Sequence, residues 1–125
     1  MKDIQKWIVL ERTTCEPTIK WAQNESHIFL TIKLSHRWDS PPCLNSLSQK
    51  SSIENDTLYY SNECMVGHSK ITFETELKFK KEVEENSLDI KRDGVGTYFV
   101  QIEKSDRDDI WSFLDQENTN YMIWN

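Results

Sequence analysis

The sequence predicts an all-β domain, an antiparallel sandwich or barrel, and three observations predict it. Ile28, Leu30, Ile32 and Leu34 alternate with Phe29, Thr31 and Lys33, the period of a strand with one buried face. The same alternation returns at Ile71, Phe73, Leu77 and Phe79, opposed by Thr72, Glu74, Glu76 and Lys78. Helix-like periodicity is confined to the stretch after Lys104, so sheet must pack on sheet. With 125 residues, 37% apolar and 29% charged, the chain has the size and composition of one domain able to bury a core.

In chain order, residues 1–17 form an N-terminal segment and the domain spans 18–125. "MKDIQKWIVLERTT" is apolar only from Trp7 to Leu10, too short for a secretory signal, and no small-residue cleavage site follows. No run approaches the roughly 18 apolar residues of a membrane span. The cytoplasm is the expected location. "SHIFLTIKLS" is the first clear strand. Residues 36–56, rich in Ser, Asn and Pro, read as a long polar loop, with at most a short edge strand near Ser51 to Ile53. Pro41-Pro42 cannot sit inside a central strand. A strand follows at "TLYYS".

The next strand, Lys70 to Glu82, interleaves Lys70, Lys78, Lys80 and Lys81 with Glu74, Glu76 and Glu82, a solvated face and a plausible blunted edge. "SLDIKR" and "TYFVQIEK" are strands joined by Asp93-Gly94-Val95-Gly96, whose glycines supply positive φ. A strand follows them, where a phosphate loop requires a helix. The expected core is Ile28, Leu30, Ile32, Ile71, Phe73, Leu77, Val100 and Ile102, with Tyr98 on the face of Val100.

After Lys104 the pattern changes. Ser105 or Asp106 can cap a short C-terminal helical turn, and Asp106, Asp108 and Asp109 suit a helix N-terminus. Ile110, Trp111 and Leu114 then share one side. Trp111 either plugs an open end of the sandwich or belongs to a binding surface. Tyr121, Ile123 and Trp124 form an apolar tail whose exposure would mark a contact site.

The chemistry of the side chains argues against several function classes. A net charge of −6 speaks against phosphate-backbone binding. Cys15, Cys43 and Cys64 are odd in number and widely spaced, so three reduced thiols are expected, with neither a disulfide framework nor zinc. His27, His36 and His68 are scattered. No paired carboxylates or Ser/His/Asp set can be justified from spacing, so no enzyme and no cofactor are expected. Asn24-Glu25-Ser26 and Asn55-Asp56-Thr57 match the glycosylation triplet, but without a secretory signal they read as coincidence.

Several motifs carry a resemblance to a known family. "IKWAQNESHIFLTIKLS" resembles the opening strands of the CS-domain co-chaperones, where W-A-Q precedes an alternating strand. "FETELKFKKEV", "YFVQIEK" and "IWSFLDQE" follow in that family's order. The W-x-x-L-x-x-E pattern of Trp111, Leu114 and Glu117 is similar to that of the small acidic co-chaperone of the ninety-kilodalton heat-shock chaperone. "VEENSLDIKRDG" with "VQIEK" resembles the CS domain of NudC, the nuclear-movement protein. The resemblance covers Thr18 to Asn125. It implies a sandwich of about seven antiparallel strands, CS-domain and alpha-crystallin-like, without cofactor or catalysis. It also implies binding to the ATP-bound heat-shock chaperone, to unfolded client proteins or to dynein-pathway proteins.

On that resemblance Trp21, Gln23, Ile123 and Trp124 are the expected partner-binding residues. Trp111, Leu114 and Glu117 are the expected structural anchors. Three departures limit the transfer: Asn24 stands where the family has a basic residue, and Gln116 where it commonly has lysine. The D-F-x-x-W segment and acidic tail of the heat-shock branch do not occur before Asn125. A second function class, an adaptor joining two proteins without chaperone activity, fits the same residues. Neither nucleic acid nor membrane is an expected partner.

Overall fold

The structure, a computed structural model, describes residues 12–35 and 37–123. Two sheets face each other. One has the strand order β1-β6-β5-β4, from β1 (Arg12–Cys15), β4 (Ser46–Glu54), β5 (Thr57–Val66) and β6 (Ser69–Lys78). The other has the order β7-β8-β3-β2-β9, from β2 (Thr18–Gln23), β3 (His27–Lys33), β7 (Asp89–Arg92), β8 (Thr97–Glu103) and β9 (Met122–Ile123). The interior strands pair antiparallel. The marginal pairings of β1 with β6 and β9 with β2 are parallel.

The period-two reading holds where one face is buried. Ile28, Leu30 and Ile32 of β3 oppose Ile102, Val100 and Tyr98 of β8. All six are buried, together with Phe73 and Leu77 across the sandwich; Ile71 is half-buried at the margin. The Asp93–Gly96 turn has Gly94 and Gly96 at φ 92° and 63°. At Gly96 a Cβ would meet Pro42 Cβ at 2.8 Å and the Cys43 carbonyl closer still, so the loop before β4 rests directly on this turn.

Four expectations are corrected. The polar loop at 36–56 contains the nine-residue strand β4. Its inward positions in the pairing with β5 are Gln49, Ser51 and Ile53, so apolar alternation, the usual sign of a strand, is nearly absent. The Lys/Glu-rich β6 is not an edge, since β1 and β5 flank it; the edges of that sheet are β1 and β4. The expected C-terminal helical turn is instead a series of bends and turns. Asp108 has φ 68°, which interrupts any helix begun at Asp106, and its N–H donates to Glu25 O at 2.8 Å. Lys80 N–H donates to Leu114 O and Gln116 N–H to Lys78 O, around a bridge between Phe79 and Asp115, so β-type pairing satisfies groups a helix would have used.

The fourth correction concerns the thiols. Cys43 and Cys64 form a disulfide with Cα atoms 6.1 Å apart, leaving Cys15 as a free cysteine. The 21-residue separation had argued against it. The strand pair β4–β5 brings Ser46 opposite Cys64, which carries the preceding loop, and Cys43 with it, onto β5. Both sulfurs belong to buried residues.

Candidate functional site

One end of the sandwich is closed by the segment after β8, and Gln23 at the end of β2 organises the closure. Its Oε1 accepts two hydrogen bonds, from Trp111 N–H at 2.9 Å and Lys104 Nζ at 2.9 Å; its Nε2 donates to Trp111 O at 2.7 Å. Two donors on one atom and a carbonyl before the other fix the orientation of the amide. Lys104 Nζ also donates to Asp109 O at 2.7 Å and lies 5.9 Å from the centre of the Trp111 ring.

Lys104 is 2% exposed, and no carboxylate accepts a hydrogen bond from it. Burial lowers its pKa, opposed by the nearby charge of Asp109. Outside it, Lys81 pairs with Asp109 at 2.7 Å. Trp111 is buried, with its ring 6.1 Å from that of Phe79, and Leu114 is fully enclosed. The tryptophan and leucine thus fill this end of the sandwich.

The other expected residues are placed as follows. Trp21 is 4% exposed and belongs to the core, so it has almost no surface for a partner. Ile123 is 61% exposed and lies beside Trp21 on the β2 edge, two residues along the strand from Gln23. Trp124 lies outside the described residues. Glu117 is exposed and does not anchor the turn. Asp115, which is buried, anchors it instead: its carboxylate accepts Thr119 N–H at 2.7 Å and Thr119 Oγ1 at 2.6 Å. Tyr121, half-buried against the core, has its phenol pushed up to about 12, first by burial and then by the charges of Asp115, Glu16 and Glu117.

Lys104 and Asp115 are the site residues that sequence reasoning missed. For Lys104 a signal existed. The phase Tyr98, Val100, Ile102 that defines the buried face of β8 continues to position 104. Asp115 had none beyond a Thr four residues later.

The same segment carries the exposed apolar side chains of Ile110 and Phe113, and β9 adds Met122 and Ile123. The end thus consists of buried, hydrogen-bonded anchors with apolar groups projecting from between them. Among the described residues no group of three or more His, Cys, Asp or Glu could hold a metal ion, and no helix is long and apolar enough to cross a membrane.

Neither a family model nor a curated protein matches the sequence. Solved structures do match its fold. A nuclear movement protein from E. cuniculi GB-M1 superposes with a TM-score of 0.54 at 17% identity, covering 78% of this chain and 98% of that one. The CS-b5R domains of human Ncb5or give 0.54 at 20% identity, over 80% of this chain and 25% of theirs. Heat shock protein 16.0 from Schizosaccharomyces pombe gives 0.58 at 9% identity, over 79% and 96%. The chain has the fold shared by CS and alpha-crystallin-like domains.

Proposed function

We propose that this CS-like sandwich is a non-enzymatic protein-binding module of the co-chaperone type, acting on unfolded client proteins or on the closed, ATP-bound ninety-kilodalton heat-shock chaperone. The observation that carries the reading is the division of labour within residues 104–123. Lys104, Trp111, Leu114 and Asp115 are buried and fix the segment, while Ile110, Phe113, Met122 and Ile123 stay exposed on it. Apolar groups held on a fixed backbone offer area to a partner without the ordering cost that a loose loop would bring. Likeness in fold to a nuclear movement protein and a heat shock protein supports the same class.

For a chaperone target, binding works by selecting a conformer. A module that favours the closed state moves the equilibrium only by its differential affinity for that state. For clients, exposed apolar side chains compete with self-association of the unfolded chain. The test is suppression of aggregation of a thermally unfolding client, with wild type against the double variant Ile110→Ser/Ile123→Ser. The two side chains are 62% and 61% exposed, so stability is expected to change by no more than about 0.5 kcal/mol. Client protection is expected to fall several-fold. Undiminished protection, together with no capture of the heat-shock chaperone in the presence of a non-hydrolysable ATP analogue, refutes the proposal.

A further inference from the structure

The buried disulfide and the two Asn-x-Ser/Thr triplets bear on one question: where this fold matures. Cys43 and Cys64 are 7% and 1% exposed and staple the loop before β4 to β5. A structural disulfide of this kind persists in oxidising compartments and is rare where glutathione and thioredoxin keep thiols reduced. The cytoplasmic expectation rested on the short apolar run at the N-terminus and carried with it the expectation of three reduced thiols, two of which are bonded to each other.

The asparagine of each triplet sits exposed at a hairpin turn. Asn24 follows β2, and its Oδ1 accepts Ser26 N–H and His27 N–H, each at 2.8 Å, and Ser26 Oγ at 3.1 Å. Asn55, with φ 52°, precedes Asp56, with φ 59°, in the two-residue turn that joins β4 and β5. Its side chain makes no hydrogen bond to another described residue. In both turns the fold uses asparagine for its oxygen or for its tolerance of positive φ, and aspartate has both properties. Asp56 adopts the same conformation next door. The side-chain nitrogen at each site is thus not required by the fold, and each asparagine is exposed.

We propose that Asn24 and Asn55 are acceptors of N-linked glycans, added in the oxidising secretory compartment that also forms the Cys43–Cys64 bond. In the transfer, Nδ2 attacks C1 of an oligosaccharide carried on a polyprenyl diphosphate. The N–C1 bond forms, the C1–O bond breaks, diphosphate leaves with its electron pair, and the amide gives up one proton. No oxidant enters that step. The disulfide forms separately, two thiols passing two electrons and two protons to a disulfide-bearing oxidoreductase, which leaves as the dithiol.

The fold also sets the order of events. The hydroxyl residues of the triplets, Ser26 and Thr57, are 9% and 7% exposed. An enzyme that must read asparagine and hydroxyl together reaches them only before the hairpins close, so the folded chain is not a substrate.

The experiment uses protein from its own cells, lysed in an alkylating agent without reductant. Glycan release by an amidase in heavy-oxygen water converts each glycosylated asparagine to a labelled aspartate. The expected result is label at positions 24 and 55, Cys43 and Cys64 in one linked peptide pair, and Cys15 alkylated. In the same cells Asn24→Asp and Asn55→Asp are expected each to remove one glycan-sized step in gel mobility at unchanged melting temperature, while Thr57→Ser retains it. Unlabelled asparagine at both positions overturns the proposal, whether or not the disulfide is found; label at one position overturns it for the other.

Discussion

Replacing Gln23 with leucine keeps the side chain's bulk and removes the three hydrogen bonds that hold the barrel end. Trp111 loses a partner for both its N–H and its carbonyl, and Lys104 keeps only Asp109 O. An orphaned buried polar group costs about 1–3 kcal/mol, and bonds to a charged donor are worth more than neutral ones. Trp111 and Lys104 are 3% and 2% exposed, so water reaches these groups poorly. The expected loss is about 3 kcal/mol, or about 10 °C in melting temperature for a domain of this size. Gln23→Glu is expected to lose about 1 kcal/mol, since a carboxylate still accepts from Trp111 N–H and pairs better with Lys104, while its missing donor orphans only the Trp111 carbonyl. A double-mutant cycle with Lys104→Met should show coupling above about 1 kcal/mol. Urea melts decide the matter: a loss under about 0.5 kcal/mol for Gln23→Leu would mean that the end is held by packing alone, and Gln23 would be free for a partner.

Further outcomes follow from other parts of the structure. Trp111→Ala should cost about 3–5 kcal/mol in the same melts, whereas Ile110→Ser should stay within about 0.5 kcal/mol. Cys43→Ser/Cys64→Ser should lose about 3 kcal/mol, from the chain-entropy value for a loop of 21 residues. The Tyr121 pKa is raised from 10.0 to about 12, so its contribution is intact below pH 10 and lost as pH rises through 12. Phenolate absorbance during an alkaline titration should show Tyr121 ionising late. Lys104 has the opposite sign: its folded pKa is lowered, so its burial cost is relieved between that value and 10.5, and Lys104→Met should abolish this rise of stability with pH.

How much of this was legible beforehand depends on what each strand faces. β3 and β8 were readable because one face meets the core and the other water, and alternation records that directly. β4 was not, because an edge strand whose inward positions include Gln49 and Ser51 carries almost no apolar period. Helical spacing put Ile110 on one side with Trp111 and Leu114, but the segment is not a helix, and its bends bury Trp111 and Leu114 while leaving Ile110 62% exposed. The disulfide required the register of β4 on β5, a long-range fact that cysteine spacing does not contain.

The Gln23–Trp111 bond also sets a clock for synthesis. Its partners are 88 residues apart, and β9 reaches β2 later still. At about 5–20 residues per second, roughly 4–18 s pass between the appearance of Gln23 and that of Trp111. Throughout that interval the first hairpin can form, but its end of the core stands open and the outer edge of β2 has no neighbour. Contacts so distant in sequence slow folding, and an unpaired strand edge is where nascent chains join wrong partners. A module that would shield other chains thus passes through a stage in which it has the same need of shielding.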